Sequence, residues 1–279
     1  MALVLSNTRS DRVKAVRRLA GRSARERAGR FLAEGPQAVR EALAWRPDGV
    51  REVYATPDAA DRFADVVAAA GAAGVRVRPV TPAVLAAMTG DDGAVTPQGL
   101  LAVCDLVGVP LADVLAGTPR LVAVLAEVQD PGNAGTIIRA ADAAGADAVV
   151  LTEGTVDVHN PKCVRATVGS LFHLPVVAGA SLSRVIDDLR ARDVWVLAAA
   201  GEGGTSLDDL LEHPGPPGLA GPVAWVFGNE GSGLPRPSHE WADDVVRIPI
   251  YGHAESLNVA TAAAVCLYAT ARAQRAKRG

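Results

Sequence analysis

Short apolar segments alternate with longer amphipathic segments along most of the chain. In the second part, apolar runs of strand length are followed by segments with the spacing of one apolar helix face. The predicted strands are 121–128, 147–152, 173–177, 194–200, 223–227 and 244–250, and the predicted helices are 133–145, 161–171, 182–192 and 256–276. Strands that alternate with helices predict a mostly parallel, doubly wound α/β sheet.

The first third of the chain predicts a smaller α/β unit. Its predicted helices are 10–30, 57–72 and 81–90, its predicted strands are 51–56, 75–80 and 99–107, and 31–44 reads as strand, turn and helix. Thr56 followed by Pro57 is typical of a helix start, since the threonine can cap and the proline fits the first turn. This part of the chain is therefore expected to fold around a core of its own.

Prolines and a glycine interrupt the pattern at 108–120, which we interpret as a linker. We predict a first domain at 1–107 and a second domain at 121–279. A length of 279 residues, with 49% hydrophobic and 21% charged residues, is sufficient for two ordinary globular cores. We expect no membrane-spanning segment and no signal peptide.

Charge is unevenly distributed along the chain. The net charge is −3, yet nine basic and only two acidic residues lie between Arg9 and Arg30. Such a segment on an otherwise acidic chain is typical of an arm that binds a polyanion. Arg17, Arg18 and Arg22 are our candidate RNA-binding residues in it. A solvated basic helix face would explain the same pattern.

The loops at the carboxyl ends of parallel strands are where ligands bind in such sheets. Loop 127–136 follows a predicted strand and opens a helix, at which Asn133 is a candidate N-cap. Arg139 lies further along the same helix, where a guanidinium could hold a phosphate. A capped helix with a surface arginine is the alternative interpretation.

Two further loops, 227–235 and 249–258, follow strands in the same way. The first contains GNEGSG, but the prolines directly after it exclude the helix that a dinucleotide fingerprint requires. Its Glu230 could accept a hydrogen bond from a hydroxyl or an ammonium group. In the second, Ser256 is a candidate N-cap, and Asn258 falls in the first turn beside free backbone N–H groups. Tight turns and a capped helix would also account for these loops.

Three stretches in these loops resemble the SpoU-type, TrmH-like branch of the SPOUT RNA methyltransferases. They read NAGTIIRAADAAGADAVVL, FGNEGSGL and IPIYGHAESLNVATAAAVCLYAT, in the order and spacing of that family. FLAEG and TPQGLLAV more loosely resemble the family's N-terminal substrate-binding extension, a small α/β unit related to ribosomal proteins. The resemblance extends over nearly the whole chain.

The resemblance implies a fold and an activity. It implies a C-terminal SPOUT domain with a parallel sheet and a deep trefoil knot, whose wall comes from 226–235 and 248–275. The implied reaction is S-adenosylmethionine-dependent 2′-O-methylation of a ribose in structured RNA, with 23S rRNA as the favoured substrate. It also implies a homodimer with the active site near the subunit boundary. For the dimer contact we expect the Ala-rich helix 256–276, by its face of small residues Ala262, Cys266, Ala269 and Ala273.

The family's motif positions assign roles to individual residues of this chain. The implied catalytic residues are Asn133, Arg139, Glu230, Ser256 and Asn258. The implied cofactor-binding residues are Gly228, Asn229, Ile248 and Leu257. Arg165 matches a motif arginine and is expected to contact an RNA phosphate. The reaction requires alignment of the 2′-hydroxyl and removal of its proton. Arginine is normally always protonated, so we expect Arg139 to anchor a phosphate rather than act as the base.

Other functions compete with this interpretation. A tRNA 2′-O-methyltransferase would share the catalytic motifs, and a non-catalytic ribosome-assembly factor would share the basic segment. A nucleotide-dependent oxidoreductase would share the sheet, but a GxGxxG before a helix is missing. Cys104, Cys163 and Cys266 are odd in number and form no CxxC pair, so we expect buried free thiols, no metal site and a cytoplasmic protein.

Overall fold

The computed structural model of the chain describes residues 4–90, 98–213, 215, 218–229, 234 and 241–276. The helices are α1 (Asp11–Arg18), α2 (Arg22–Ala28), α3 (Pro36–Trp45), α4 (Pro57–Arg62), α5 (Ala64–Ala72), α6 (Pro82–Thr89), α7 (Leu111–Ala116), α8 (Pro131–Ala144), α9 (Pro161–Thr167), α10 (Leu182–Arg190), α11 (Leu207–Glu212) and α12 (Val259–Ala276), with 3-10 turns at Pro47–Gly49 and Ser170–Phe172. The strands are β1 (Arg30–Glu34), β2 (Val50–Ala55), β3 (Arg76–Pro79), β4 (Leu100–Asp105), β5 (Leu121–Leu125), β6 (Ala148–Thr152), β7 (Val176–Ala180), β8 (Trp195–Ala199), β9 (Thr205–Ser206), β10 (Val223–Phe227) and β11 (Asp244–Arg247).

These elements form two compact units. Unit 1 contains the residues up to Val107 together with His159–His173, and unit 2 contains Gly108–Val158 together with the residues from Leu174 onward. The predicted boundaries differ in two respects: the predicted linker carries α7 and belongs to unit 2, and the segment His159–His173 belongs to unit 1.

Unit 1 contains a four-stranded sheet in the order β1-β4-β2-β3. Strand β4 is antiparallel to β1 and β2, whereas β2 and β3 are parallel. Its core includes the fully buried side chains of Phe31, Tyr54, Met88 and Leu101. Thr56 caps α4 by accepting a hydrogen bond from the Ala59 N–H, as its sequence predicted. The small α/β unit expected from the first third of the chain is therefore present.

The basic segment forms two helices, so the predicted single helix 10–30 is wrong. A turn between α1 and α2 buries Leu19 at 6% exposure, and Gly21 stands at the start of α2. Arg25 is only 3% exposed, and its Nη1 donates to the carbonyl oxygens of Leu19 and Ala20 at 3.0 and 2.6 Å. One cation of the predicted arm therefore closes this turn instead of facing solvent.

The segment His159–His173 packs within unit 1 through α9, which lies against β1. The predicted helix 161–171 ends early because Val168 and Gly169 adopt φ angles of 52° and 102°. A Cβ on Gly169 would lie 2.4 Å from Cγ of Glu41, so only glycine fits this turn.

Unit 2 contains a seven-stranded sheet in the order β7-β6-β5-β10-β8-β11-β9, and all of its strand pairs are parallel. This confirms the predicted parallel α/β sheet. Trp225 on the central strand β10 is fully buried and donates from Nε1 to Oγ1 of Thr270 on α12 at 2.8 Å. Helix α12 packs against α8, β5 and β10, which closes one face of the sheet. The short elements β9 and α11 had no counterpart in the sequence prediction.

Among the described residues, no helix combines the length and the apolar character needed to cross a lipid bilayer.

Candidate active site

The strands β5, β8, β10 and β11 end side by side at one edge of the sheet in unit 2. Phe227 is in register with both Leu125 and Ala199, and Val246 is in register with Ala199. The loops that follow these strands therefore meet at the carboxyl edge, where parallel α/β sheets bind ligands. The three loops singled out in the sequence all start at this edge.

Asn133 and Asn258 meet across this edge. The amide nitrogen Nδ2 of Asn258 donates to Oδ1 of Asn133 at 3.1 Å, although 125 residues separate them in the chain. The other end of the Asn258 amide is also engaged, because its Oδ1 accepts from the backbone N–H groups of Ala260 and Thr261 at 2.9 and 3.4 Å. Since the oxygen must face those N–H groups, the NH₂ group must face Asn133.

These contacts correct two predicted helix caps. The N-cap of α8 is Asp130, whose Oδ1 accepts from the Asn133 N–H at 2.8 Å, and Asn133 lies inside the first turn. Helix α12 begins at Val259, and its first turn is capped by Asn258 rather than by Ser256. In both helices a carboxylate or amide oxygen nearer to the free N–H groups takes the capping role.

A cavity of about 390 Å³ opens at the carboxyl edge. Four predicted cofactor-binding residues line it (Gly228, Asn229, Ile248 and Leu257), and so do two predicted catalytic residues (Ser256 and Asn258). Asn133 reaches this cavity through its hydrogen bond with Asn258. Glu230, the remaining acidic candidate, lies outside the described residues.

Sequence reasoning missed one wall of the cavity. Ala200, Gly201 and Glu202 line it from the turn that follows β8. Gly203 in the same turn lies tightly against β11, because a Cβ there would be 2.6 Å from the Val245 carbonyl oxygen. The signal was present as GEGG directly after a predicted strand, which is the same arrangement that marked the other loops.

The loop after β5 is held in an unusual backbone conformation. Glu127 has a positive φ of 57°, and its N–H donates to Oγ1 of Thr155 at 3.1 Å. Its carbonyl oxygen accepts from Nδ2 of Asn229 at 3.0 Å and from Nε2 of Gln129 at 3.2 Å. Asn229 therefore connects the wall of the cavity to the end of β5.

Arg139 does not line the cavity. It is exposed on α8, on the side away from the buried residues Ile137, Ile138 and Ala141. Its guanidinium has no hydrogen bond or ion pair with any described residue. The structure thus joins Asn133 to Asn258 and places Ser256 and Asn258 on the wall of one cavity, but it keeps Arg139 away from that wall.

Comparison with known proteins shows to which family the chain belongs. Residues 120–268 match the SpoU rRNA Methylase family, and residues 10–102 match the MRM3-like substrate binding domain. The chain belongs to the SpoU rRNA methylase family. This confirms the resemblance seen in the sequence motifs, and it favours a methyltransferase over an oxidoreductase or a non-catalytic assembly factor.

Individual SpoU relatives align with most of the chain. A protein of Bacillus subtilis named 23S rRNA (guanosine(2553)-2′-O)-methyltransferase RlmP is 35% identical over 264 residues, which is 95% of this chain and 97% of the relative. A 23S rRNA (guanosine-2′-O-)-methyltransferase RlmB of Bordetella pertussis is 34% identical over 85% of this chain and 95% of the relative. The AdoMet-bound rRNA methyltransferase of Sinorhizobium meliloti has a similar structure, with a TM-score of 0.80 and 31% identity over 97% of this chain and 98% of its own.

In this SpoU protein, the candidate RNA-binding arginines of unit 1 differ in whether they form ion pairs with acidic residues. Arg17 and Arg18 are exposed at the end of α1. Arg22 forms an exposed ion pair with Glu26 at 2.8 Å, which is weak in water. Arg165 pairs with Glu34 at 3.1 Å and its side chain is one-third exposed, so its charge is partly committed inside unit 1.

All three cysteines are buried, as expected, and they form no disulfide bond. Burial raises the pKa of the Cys104 and Cys266 thiols to about 12, so both stay protonated at neutral pH. In the described part of the chain, no group of three or more His, Cys, Asp or Glu residues could hold a metal ion.

Proposed function

We propose that this protein methylates a ribose 2′-hydroxyl of 23S rRNA with S-adenosylmethionine as the methyl donor. The observation that carries the proposal is the Asn133–Asn258 pair, of which Asn258 lines the cavity, in a chain of the SpoU rRNA methylase family. Relatives aligned over most of the chain are named 23S rRNA 2′-O-methyltransferases, which favours 23S rRNA over tRNA as the substrate. The proposal assigns substrate binding to unit 1 and methyl transfer to unit 2, which includes the segment predicted as a linker.

The cavity suits S-adenosylmethionine, a zwitterion with an apolar purine. Phe227, Val246 and Ile248 supply an apolar wall, and Gly201 and Gly228 leave backbone groups accessible. Glu202 or Glu255, both on the cavity wall, would pair with the ammonium group. When bound, S-adenosylmethionine supplies an electrophilic methyl group attached to a positively charged sulfur.

The residues of the chain would act mainly by positioning. Asn258 has its oxygen bonded to the first turn of α12 and its NH₂ bonded to Asn133, so both ends of its amide have a partner without a ligand. Together with Ser256, this pair would orient the ribose, so that its 2′-hydroxyl is aligned with the methyl group of the cofactor. The hydroxyl proton would pass to a phosphate oxygen or to water.

The proposal includes a homodimer in which Arg139 serves the partner's cavity. Arg139 is exposed, lies outside the cavity of its own subunit and forms no ion pair with a described residue. The proposed contact surface is not the predicted one, because Cys266 is fully buried inside its own unit. Val265 and Tyr268, 39% and 53% exposed on α12, are better candidates for the contact.

The family's trefoil knot is also part of the proposal. Strand β10 lies between β5 and β8, while β11 lies beyond β8. From β11 the chain returns to α12, which packs back on β5 and β10. This path supports a C-terminal segment threaded through an earlier loop, a rare exception to ordinary connections. A crystal structure that traced 226–276 without threading would contradict it.

Cytoplasmic location belongs to the proposal as well, supported by the rRNA substrate.

The reaction itself is tested with purified protein, tritiated S-adenosylmethionine and a 23S rRNA transcript. We expect label at a single nucleotide, resistance of the ribose there to alkaline cleavage, and no label in 16S rRNA or tRNA transcripts. Calorimetry in EDTA should show that the cofactor binds without added metal. Efficient labelling of tRNA alone would show that tRNA is the substrate instead of 23S rRNA. The absence of label in every RNA would refute the proposal.

The role of Arg139 in the partner's site is tested by mixing two inactive variants. A chain with Arg139→Ala keeps an intact cavity, and a chain with Asn133→Ala keeps an intact arginine. If the arginine acts across a symmetric dimer, random exchange of subunits in an equal mixture should make about a quarter of all sites complete. Mixtures that remain inactive, with light scattering showing exchanged dimers, would place the arginine and the cavity of one chain in the same site.

A further inference from the structure

A second cavity of about 270 Å³ lies at the same edge of unit 2. Its wall includes Glu127 after β5, Glu153 after β6, Ser181 and Ser183 at the start of α10, and Trp241. None of these residues has a role in the proposed methyl transfer. The volume is too small for a nucleotide chain and suits a single planar base better than a drug-sized ligand.

This cavity shares a boundary with the cavity of about 390 Å³ proposed to bind S-adenosylmethionine, called the cofactor cavity below. Asn229 lines the cofactor cavity and donates from Nδ2 to the carbonyl oxygen of Glu127 at 3.0 Å, and Glu127 lines the second cavity. The positive φ of Glu127 turns the chain at this boundary. A nucleotide whose ribose lay at the first cavity would therefore have its base within reach of the second.

The chemistry of the wall indicates which part of an RNA it could meet. The carboxylates of Glu127 and Glu153 form no ion pair or hydrogen bond with any described residue. Two unpaired carboxylates repel the phosphates of a polyanion, so they cannot serve as a backbone contact. Carboxylates accept hydrogen bonds only, so their partner must present N–H or O–H donors. The edge of a nucleobase presents such donors.

We propose that this second cavity holds the base of the target nucleotide and that its carboxylates select guanine; the proposal rests on the methyltransferase function proposed above. Guanine alone presents two adjacent donors, N1–H and the 2-amino group, to one carboxylate. Adenine and cytosine offer a single amino group beside an acceptor, and uracil offers one N–H between two acceptors. Enzymes that act on an extruded nucleotide read the base in this way, through its Watson–Crick edge and through stacking.

The remaining wall residues complete such a pocket. Trp241 is 36% exposed and supplies a flat apolar surface for stacking. The hydroxyls of Ser181 and Ser183 are 3.0 Å apart, so one can donate to the other and the second keeps a proton for O6 or N7 of the base. Glu153 is anchored at the sheet edge, because its N–H donates to the Ala180 carbonyl at 2.9 Å.

The test begins with the nucleotide that the unaltered protein methylates in a 23S rRNA transcript. We expect a guanosine. Transcripts carrying adenosine, cytidine, uridine or inosine at that position should then be methylated with kcat/KM lower by about 10-fold to 100-fold. Inosine is the sharpest probe, since it differs from guanosine only by loss of the 2-amino group.

Isosteric variants connect the preference to the cavity. Glu127→Gln and Glu153→Gln should each lower kcat/KM for the guanosine transcript. In at least one of these variants, the inosine transcript should be methylated as well as the guanosine transcript. The carboxylate and the 2-amino group are the two partners of one hydrogen bond, so once the carboxylate is gone, loss of the amino group should have no further effect. Trp241→Leu should raise KM for RNA by about 10-fold, and Trp241→Phe should restore most of the affinity. Asp187→Asn, on α10 but outside the cavity, is the matched control and should behave like the unaltered protein.

Two outcomes of the methylation assays would overturn this proposal and leave the proposed function intact. One is a methylated nucleotide other than guanosine, and the other is an inosine penalty that both glutamine variants retain in full. Cofactor affinity measured by calorimetry should stay unchanged in all four cavity variants. A loss of cofactor binding in the glutamine variants would instead assign the carboxylates to the cofactor and would also overturn the proposal. Absence of methylation by the unaltered protein would overturn the proposed function and this assignment together.

Discussion

Replacing Asn258 by alanine removes two interactions made by opposite ends of one amide. The oxygen caps α12 through the N–H groups of Ala260 and Thr261, and the nitrogen donates to Asn133. The variant therefore tests both the stability of the C-terminal helix and the orientation of the active-site pair.

The expected loss of stability follows from these contacts. Removal of an asparagine N-cap costs about 0.5 to 2 kcal/mol. The hydrogen bond to Asn133 adds about 0.5 kcal/mol, the lower end of the usual range, because Asn258 is exposed to water. The free energy of unfolding should fall by about 1 to 2.5 kcal/mol, and Tm by about 2 to 10 °C for a domain of this size.

Two companion variants separate the roles of the amide. Asn258→Ser keeps a capping oxygen but cannot reach Asn133, so its stability should stay within about 0.5 kcal/mol of the unaltered protein. Asn133→Ala leaves the cap of α12 intact. If the amide pair orients the ribose, all three variants should lose about 100-fold or more in single-turnover rate with saturating RNA and cofactor.

Thermal unfolding followed by circular dichroism, together with single-turnover methylation, measures both effects. An alanine variant as stable as the unaltered protein would show that the cap geometry does not hold in solution. A serine variant that is stable and fully active would show that the Asn133 contact has no part in the reaction. The combination expected here is a stable serine variant that is nearly inactive.

Three further predictions use other parts of the chain. Arg139→Ala should abolish or nearly abolish methylation with cofactor binding intact, and Arg139→Lys should also be strongly impaired, because lysine lacks the bidentate fork; a wild-type single-turnover rate in either variant would contradict this. Changing Arg17, Arg18 and Arg22 together to alanine should weaken RNA binding and flatten its dependence on salt, as measured by filter binding, without altering cofactor affinity; unchanged binding at low salt would indicate a merely solvated helix face. The Cys266 thiol, whose pKa burial raises to about 12, should resist a thiol reagent at pH 8 in the folded protein and react only after denaturation, whereas rapid labelling of the native chain would contradict its burial.

Much of the fold could be predicted because its signals are short in range. The alternation of apolar and amphipathic segments identified the parallel sheet of unit 2, since that alternation reflects which face of each element is buried. Helix starts such as Thr56 with Pro57 also hold in the structure. The loops of the candidate site were found for the same reason: they directly follow strands, and strands of a parallel sheet end at one edge.

Competition between neighbouring groups decided what the local pattern left open. Asp130 and Asn258, rather than Asn133 and Ser256, cap their helices, because their oxygens reach the free N–H groups in the folded chain. Arg25 turned inward to close the turn between α1 and α2. In each case several residues had the right chemistry, and only the packed geometry selected one.

The sequence by itself determined the family, the parallel α/β class and six of the residues that line the cofactor cavity. Tertiary structure alone decided that Asn258 meets Asn133, that Arg139 stays outside the cavity of its own chain, and that Glu127 and Glu153 share a second cavity. The reason is physical: motifs and periodicity depend on neighbours within a few residues, whereas strand order is set by burial over the whole sheet. Because β10 lies between β5 and β8, residues far apart in the chain become neighbours at one edge.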